Sequence, residues 1–117
     1  MTNQDAFDKM MEHLRSLKER SFDKKKDHCV YNGSKCAVGA LMTDEEQEEY
    51  GDYEGGVFCL LEEMEEDGHD SALHALDYGF LSKMQYLHDN EANWSEEGFY
   101  AEGEAKRVAK KFNLTYT

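Results

Sequence analysis

Apolar side chains recur along this chain of 117 residues at spacings of three and four, the repeat of a helix that buries one face. Near the N-terminus, Thr2 and Asp5 form a helix-start signal. The apolar positions that follow it are Phe7, Met10, Met11, Leu14 and Leu17. No stretch alternates long enough to build a sheet, and the chain contains no proline. The pattern predicts an all-α fold, one compact domain over residues 1–117, with a first helix running to about Arg20.

Two middle helices are predicted from capping and stop signals. Thr43 followed by Glu46 repeats the start signal, so a short helix is expected over 44–50, ended by Gly51. Another is expected over 57–67, with Gly68 as its stop. Its inward residues are Val57, Leu60, Leu61 and Met64.

The last third of the chain predicts two more helices. Ser71 caps one that runs to His88. Its apolar residues at helical spacing are Leu73, Leu76, Phe80, Met84 and Leu87. Ser95 caps the final helix, which begins with Glu96 and ends before Asn113, with Lys and Arg in its last turns. The total is about five helices.

The segment between the first two helices divides into an extended and a small-residue part. A short extended turn is expected between Cys29 and Gly33. The following 36–42 segment predicts a short helix whose Ala37, Gly39 and Ala40 allow close packing against the 71–88 helix.

Charge is sorted along the sequence. Between Leu41 and Glu104 there are 20 Asp and Glu residues against one positive residue, Lys83, whereas the flanks hold 12 Lys and Arg against 6 acids. A strongly negative section repels nucleic acid and acidic membranes, and it attracts basic protein surfaces. We therefore expect a protein with a basic surface as the partner, and neither direct nucleic-acid nor membrane binding.

The acids of the two middle helices are the candidate contact residues. Carboxylates in rows on rigid helices can imitate the phosphates of duplex DNA, although acidic surfaces also serve solubility. The candidates are Asp44, Glu45, Glu46, Glu48, Glu49, Asp52, Glu54, Glu62, Glu63, Glu65, Glu66 and Asp67.

The compartment is predicted from what the chain lacks. No apolar run approaches the roughly 20 residues that cross a bilayer, and the N-terminus has no secretory pattern. The odd set Cys29, Cys36 and Cys59 predicts reduced thiols. A cytoplasmic location is expected.

The segment Cys29-Val-Tyr-Asn-Gly-Ser-Lys-Cys-Ala-Val-Gly-Ala-Leu, with the later Leu87, His88, Asp89 and Trp94, carries a resemblance. It is similar to small functionally uncharacterised proteins of tailed bacteriophages and bacteria. In that family a Cys-x-Tyr precedes Cys-Ala-Val-Gly, and Leu-His-Asp precedes a Trp. The resemblance implies a phage accessory protein in the host cytoplasm, and it supplies no catalytic residues. Met42-Thr43-Asp44 departs from the family's Ile-Pro-Asp.

Three site chemistries remain open beside simpler structural roles. Zinc could be held by Cys29 and Cys36 with histidines: His28, and His69 or His88. A cysteine nucleophile could be served by His88 and Asp89, although neighbouring residues on a helix point about 100° apart. Calcium could be bound by Glu62, Glu65 and Glu66, but no EF-hand loop is present. Buried cysteines and a solvated acidic face are favoured, so no metal or cofactor is predicted.

The sequence favours a non-enzymatic, phage-type protein that inhibits a bacterial defence or nucleic-acid-handling protein by direct binding. The alternative is a small-ligand binder that sequesters a nucleotide signal. Its pocket would be lined by Tyr31, His88 and Trp94.

Overall fold

The computed structural model describes residues 1–17, 37–51, 53, 56–96 and 98–117. In these ranges the chain is all-α, as predicted: five α-helices, three 3-10 turns and one two-stranded hairpin. The helices are α1 (Asn3–Ser16), α2 (Asp44–Tyr50), α3 (Val57–Glu66), α4 (Tyr78–Asp89) and α5 (Glu102–Lys111). None of the described helices is long and apolar enough to cross a membrane. The predicted extended turn between Cys29 and Gly33 lies outside the described residues.

Helix α1 begins where the sequence predicts but ends earlier. Thr2 Oγ1 accepts a hydrogen bond from the Asp5 backbone N–H at 3.1 Å, and the Asp5 carboxylate accepts one from the Thr2 N–H at 3.1 Å. The buried face is Ala6, Phe7, Met10, Met11 and Leu14. The predicted end near Arg20 is wrong, because Leu17 already has extended backbone angles (φ −83°, ψ 136°) and stops the helix at Ser16.

Helix α4 occupies the middle of the core and contacts α1, α3 and α5. Its Phe80 is fully buried, with ring centroids 6.5 Å from Phe7 and 5.6 Å from Phe112. Aromatic rings at such distances stabilise a core beyond their buried area. Phe80 thus joins the N-terminal helix to the end of α5.

The single helix predicted from Ser71 to His88 is wrong, because the chain breaks before α4. Ser71 Oγ accepts from the Leu73 N–H at 3.2 Å and caps a 3-10 turn, Ala72–Ala75. Leu76 is then extended (φ −98°, ψ 155°), and Asp77 starts α4 by accepting from the Phe80 N–H at 3.1 Å.

Ser95 does not cap the last helix, which corrects a second boundary. It belongs to a short antiparallel hairpin, β1 (Trp94–Ser95) with β2 (Gly98–Phe99), in which Trp94 faces Phe99. Its hydroxyl bonds to the Gly98 carbonyl at 3.3 Å, and Gly98 has φ +117°, which a side chain rarely tolerates. Helix α5 starts later, after Ala101, without a side-chain cap.

The 37–42 segment contains a one-turn 3-10 helix, Gly39–Leu41, where the sequence predicts a short helix over 36–42. Ala37, Val38 and Gly39 are buried, which agrees with close packing. The turn lies against α1, and the Val38 N–H reaches α4 by donating to Gln85 Oε1 at 3.0 Å.

Arg15 of α1 contacts both the start of α5 and the C-terminal tail. The Arg15 guanidinium binds both carboxylate oxygens of Glu102, at 2.8 and 3.1 Å, and lies 5.6 Å from the centre of the Tyr116 ring. Tyr116 also donates its hydroxyl to Glu102. The Arg15 hydrogen bond lowers the pKa of Glu102 despite its partial burial. One guanidinium is thus held by a carboxylate and an aromatic ring together.

Candidate functional site

Helix α2 presents a row of carboxylates. Its capping box forms as predicted, with Thr43 Oγ1 accepting from the Glu46 N–H at 3.1 Å. The exposed acids of this helix are Asp44, Glu45, Glu48 and Glu49. The first-turn acids suit the positive end of the helix, but no basic residue occupies the last turn, where Glu48 and Glu49 meet the negative end.

Glu46 does not belong to the exposed row, which corrects its assignment as a contact residue. It is 3 % exposed and accepts from the Thr43 N–H at 3.0 Å, while Oε2 lies 2.9 Å from His69 Nε2. Burial would raise the pKa of Glu46, but hydrogen bonds from Ser71, Thr43 and His69 lower it below its ordinary value. In return, the bond to Glu46 raises the pKa of His69. Glu46 is therefore a buried residue that joins α2 to His69, and its carboxylate is not available to a partner.

A second contact joins the end of α2 to the end of α3. The buried Tyr50 donates its hydroxyl to Asp67 Oδ2 at 2.8 Å. Burial and this bond, with the negative charges of Glu49 and Glu63, raise the pKa of Tyr50 to about 12. Acidic side chains of both helices therefore raise the pKa of the same Tyr50 hydroxyl. Asp67 is exposed, but one of its oxygens is already bound.

Helix α3 is oriented as predicted. Val57, Leu60, Leu61 and Met64 face inward, whereas Glu62, Glu63, Glu65 and Glu66 are exposed. No basic residue occupies its last turn, so Glu65 and Glu66 oppose the helix dipole. Gly68 follows with φ +72° and ends the helix. The acids at this end do not serve helix stability.

The exposed carboxylates of α2 and α3 approach each other where α2 meets the end of α3, at the Tyr50–Asp67 and Glu46–His69 contacts. Glu45 and Glu49 of α2 contribute to the raised pKa of His69, which follows α3, and Glu63 of α3 contributes to that of Tyr50 on α2. We call this the acidic surface: Asp44, Glu45, Glu48, Glu49, Glu62, Glu63, Glu65, Glu66 and Asp67. The predicted contacts Asp52 and Glu54 lie outside the described residues.

An open cleft borders the acidic surface. It is lined by Glu65, Gly68, His69, Asp70 and His74. Its two histidines are already engaged, since His69 contacts Glu46 and His74 Nε2 lies 3.0 Å from the Leu61 carbonyl oxygen.

An exposed aromatic pair, which the sequence reasoning missed, lies between α3 and α4. Phe58 is 56 % exposed and Tyr78 is 52 % exposed, and their rings meet edge to face with centroids 5.4 Å apart. The available signal was that Phe58 falls outside the inward stripe of α3.

His88 and Trp94 are brought together, as the ligand-binding alternative requires, but they pack on each other. His88 is fully buried, its ring centroid lies 5.7 Å from that of Trp94, and Trp94 Nε1 donates to the His88 carbonyl at 2.7 Å. Tyr31, the third residue of that pocket, lies outside the described residues. The ligand-binding alternative stays a prediction.

The neighbouring side chains His88 and Asp89 do meet, although adjacent helix positions point apart. His88 Nδ1 lies 2.8 Å from Asp89 Oδ1, which also accepts from Gln85 Nε2 at 2.9 Å. Asp89 can thus fix the orientation of the buried imidazole. Of the three cysteines that could serve as the nucleophile, Cys29 and Cys36 lie outside the described residues, and Cys59 is exposed.

Among the described residues, no three His, Cys, Asp or Glu side chains are grouped as they would be around a metal ion. The described residues include the candidate ligands Glu62, Glu65, Glu66, His69 and His88, whereas His28, Cys29 and Cys36 lie outside them. No protein-family model, curated protein or solved structure matches the chain.

Proposed function

We propose that this chain is a non-enzymatic acidic protein that binds a basic surface of another protein and thereby inhibits it. The target class is a bacterial defence protein or a nucleic-acid-handling protein, reached in the host cytoplasm. The phage setting rests on the resemblance carried by the 29–41 segment and by Leu87, His88, Asp89 and Trp94.

The observation that supports this proposal is a pair of polar contacts between α2 and the end of α3, next to the acidic surface. The Tyr50–Asp67 hydrogen bond and the Glu46–His69 contact hold the end of α2 to the end of α3. Helices joined in this way hold the backbone positions of their acidic residues relative to one another. A fixed array of carboxylates suits recognition of a phosphate-binding groove better than carboxylates on a loose chain.

The placement of charge also favours a binding role over solubility alone. Solubility requires net charge, which mixed or scattered acids would supply. Here Glu48, Glu49, Glu65 and Glu66 lie at the helix ends where negative charge is unfavourable. These four glutamates therefore lower the stability of their helices, and they lie at the positions that the proposal assigns to partner binding. In the DNA-mimic form of the proposal, these carboxylates take the place of duplex phosphates.

A pull-down with two matched charge variants tests the proposal. The first variant carries Glu45→Lys, Glu48→Lys and Glu49→Lys on the acidic surface. The control carries Glu12→Lys, Glu96→Lys and Glu104→Lys, which are exposed acids on α1, the hairpin and α5. Both variants change the net charge equally, so any difference between them reports location.

The wild type and the control are expected to capture the same host protein from a bacterial lysate, and the acidic-surface variant should lose it. Duplex DNA added to the beads should release that protein if the carboxylates occupy its DNA groove. Equal capture by all three forms would reject the acidic surface as the contact. Capture that duplex DNA does not compete with would reject the DNA-mimic form.

A further inference from the structure

The exposed Phe58–Tyr78 pair has a place in the same interface. We propose that the two rings receive an arginine side chain of the basic partner, with Glu62 completing the site. This inference rests on the proposed function, because it assumes a basic partner on the acidic surface. It adds a specific anchor and a preference for arginine over lysine.

The exposure of the pair is the first reason. Each of the two residues leaves more than half of its surface exposed to water, although their ring centroids are only 5.4 Å apart. A single exposed aromatic is ordinary, but adjoining exposed rings are characteristic of binding surfaces. Aromatic residues and arginine are also the residues most often found to dominate binding energy.

The charge around the pair defines the partner's chemistry. Glu62 is exposed and lies four residues after Phe58 on α3, so both side chains share one side of the helix. Neither α3 nor the first turn of α4, which carries Tyr78, contains Lys or Arg. An apolar partner would have to bury the Glu62 carboxylate without an ion-pair partner, which would cost binding free energy. A cationic side chain with a broad apolar face meets both requirements.

The fold itself contains a worked example of such a site. Arg15 is held by the Glu102 carboxylate at 2.8 and 3.1 Å and lies over the Tyr116 ring. Carboxylate plus aromatic ring is the combination that Glu62 and the Phe58–Tyr78 pair offer to a guanidinium from outside. Arginine is favoured over lysine because its planar, weakly hydrated group stacks on rings while it binds a carboxylate through two N–H groups.

Two labelled peptides, eight arginines and eight lysines, provide the probes. Their dissociation constants are measured by fluorescence anisotropy at low salt for the wild type, Phe58→Leu and Tyr78→Leu. Leucine keeps an apolar side chain at an exposed position and removes the ring. Tyr86→Leu is the matched control, because Tyr86 is 62 % exposed and lies on α4 near Lys83.

The wild type should bind the arginine peptide about two- to fivefold more tightly than the lysine peptide, the range of one exposed cation–π contact. Phe58→Leu and Tyr78→Leu should abolish this preference, and Tyr86→Leu should keep it. Circular dichroism of each variant checks that it is folded. Equal binding of both peptides by the wild type, or a preference that survives both leucine variants, would overturn the inference.

The same titration distinguishes failure of this inference from failure of the proposed function on which it rests. If the Glu45, Glu48 and Glu49 reversal abolishes binding while Phe58→Leu changes nothing, the acidic surface stands and the aromatic anchor fails. If neither peptide binds at low salt, both fail.

Discussion

Glu46 and His69 form a pair beneath the acidic surface, with the carboxylate Oε2 2.9 Å from the imidazole Nε2. Glu46 is nearly inaccessible to water, and His69 is partly exposed. The pair connects α2 to the turn after α3, and the Tyr50 ring lies beside His69 with centroids 5.6 Å apart. The stability of the acid-bearing helices should therefore depend on how these two groups are charged.

The first prediction concerns pH. The raised pKa of His69 means that its stabilisation is complete below the ordinary histidine pKa of about 6.5 and is lost as pH rises through the folded-state pKa. The lowered pKa of Glu46 means that its stabilisation is complete above the ordinary value of about 4.3 and is lost as pH falls through the folded-state pKa. The pair should stabilise most between these ordinary values.

Thermal unfolding of the wild type and His69→Gln from acid to mildly alkaline pH measures this effect. The difference in Tm should be largest in that window and should shrink at higher pH. In a Glu46→Gln background, His69→Gln should have little pH-dependent effect, which is the double-mutant control. A Tm difference that stays constant across the pH range would contradict the assignment.

The second prediction is that Gly39→Leu destabilises the protein. Gly39 is buried, and its carbonyl accepts a hydrogen bond from Gln47 Nε2. Enlarging a packed position typically costs about 1–3 kcal/mol. Urea unfolding measures the loss. If this variant keeps wild-type stability but no longer captures the partner, the 37–42 segment is a binding surface.

The third prediction is a gain at a different glycine. Gly103 is exposed near the start of α5, and nothing lies within 4 Å of the position that a Cβ would take. Gly103→Ala should raise the free energy of unfolding by about 0.5–1 kcal/mol, because alanine loses less backbone freedom in a helix. Urea unfolding beside the Gly39 variant checks it, and a loss of stability would show that α5 is packed differently.

The fourth prediction concerns metal and disulfides. Because the three cysteines are odd in number and irregularly spaced, the fold should need neither. A chelator and a reductant, added separately, should leave the Tm within error. A marked drop with the chelator would restore the zinc hypothesis for Cys29, Cys36 and His28.

Local signals predicted the helix starts that depend on a side chain three residues away. Thr2 with Asp5 and Thr43 with Glu46 form their capping boxes, because both partners lie within one turn. Ser71 did not predict the start of the long helix correctly. It does cap a turn, but Asp77 offers a second cap six residues later, and the longer helix starts there.

The missed features depend on contacts that lie outside the residue pattern of a single helix. Glu46 reads as one more exposed acid, and only the position of His69 and Ser71 shows why it is buried. Ser95 has the chemistry of a cap, but Gly98 allows the chain to turn back on it as a hairpin. Spacing along one helix does not carry such information.

The most direct test of the account is the salt dependence of the dissociation constant for the captured host protein. Exposed charges are screened over about 8 Å at physiological ionic strength, so affinity should fall steeply from about 50 to 500 mM salt. The Glu45, Glu48 and Glu49 reversal should bind weakly throughout, and the Glu12, Glu96 and Glu104 reversal should follow the wild type. An affinity that stays constant with salt and is equal in all three forms would contradict binding through the acidic surface.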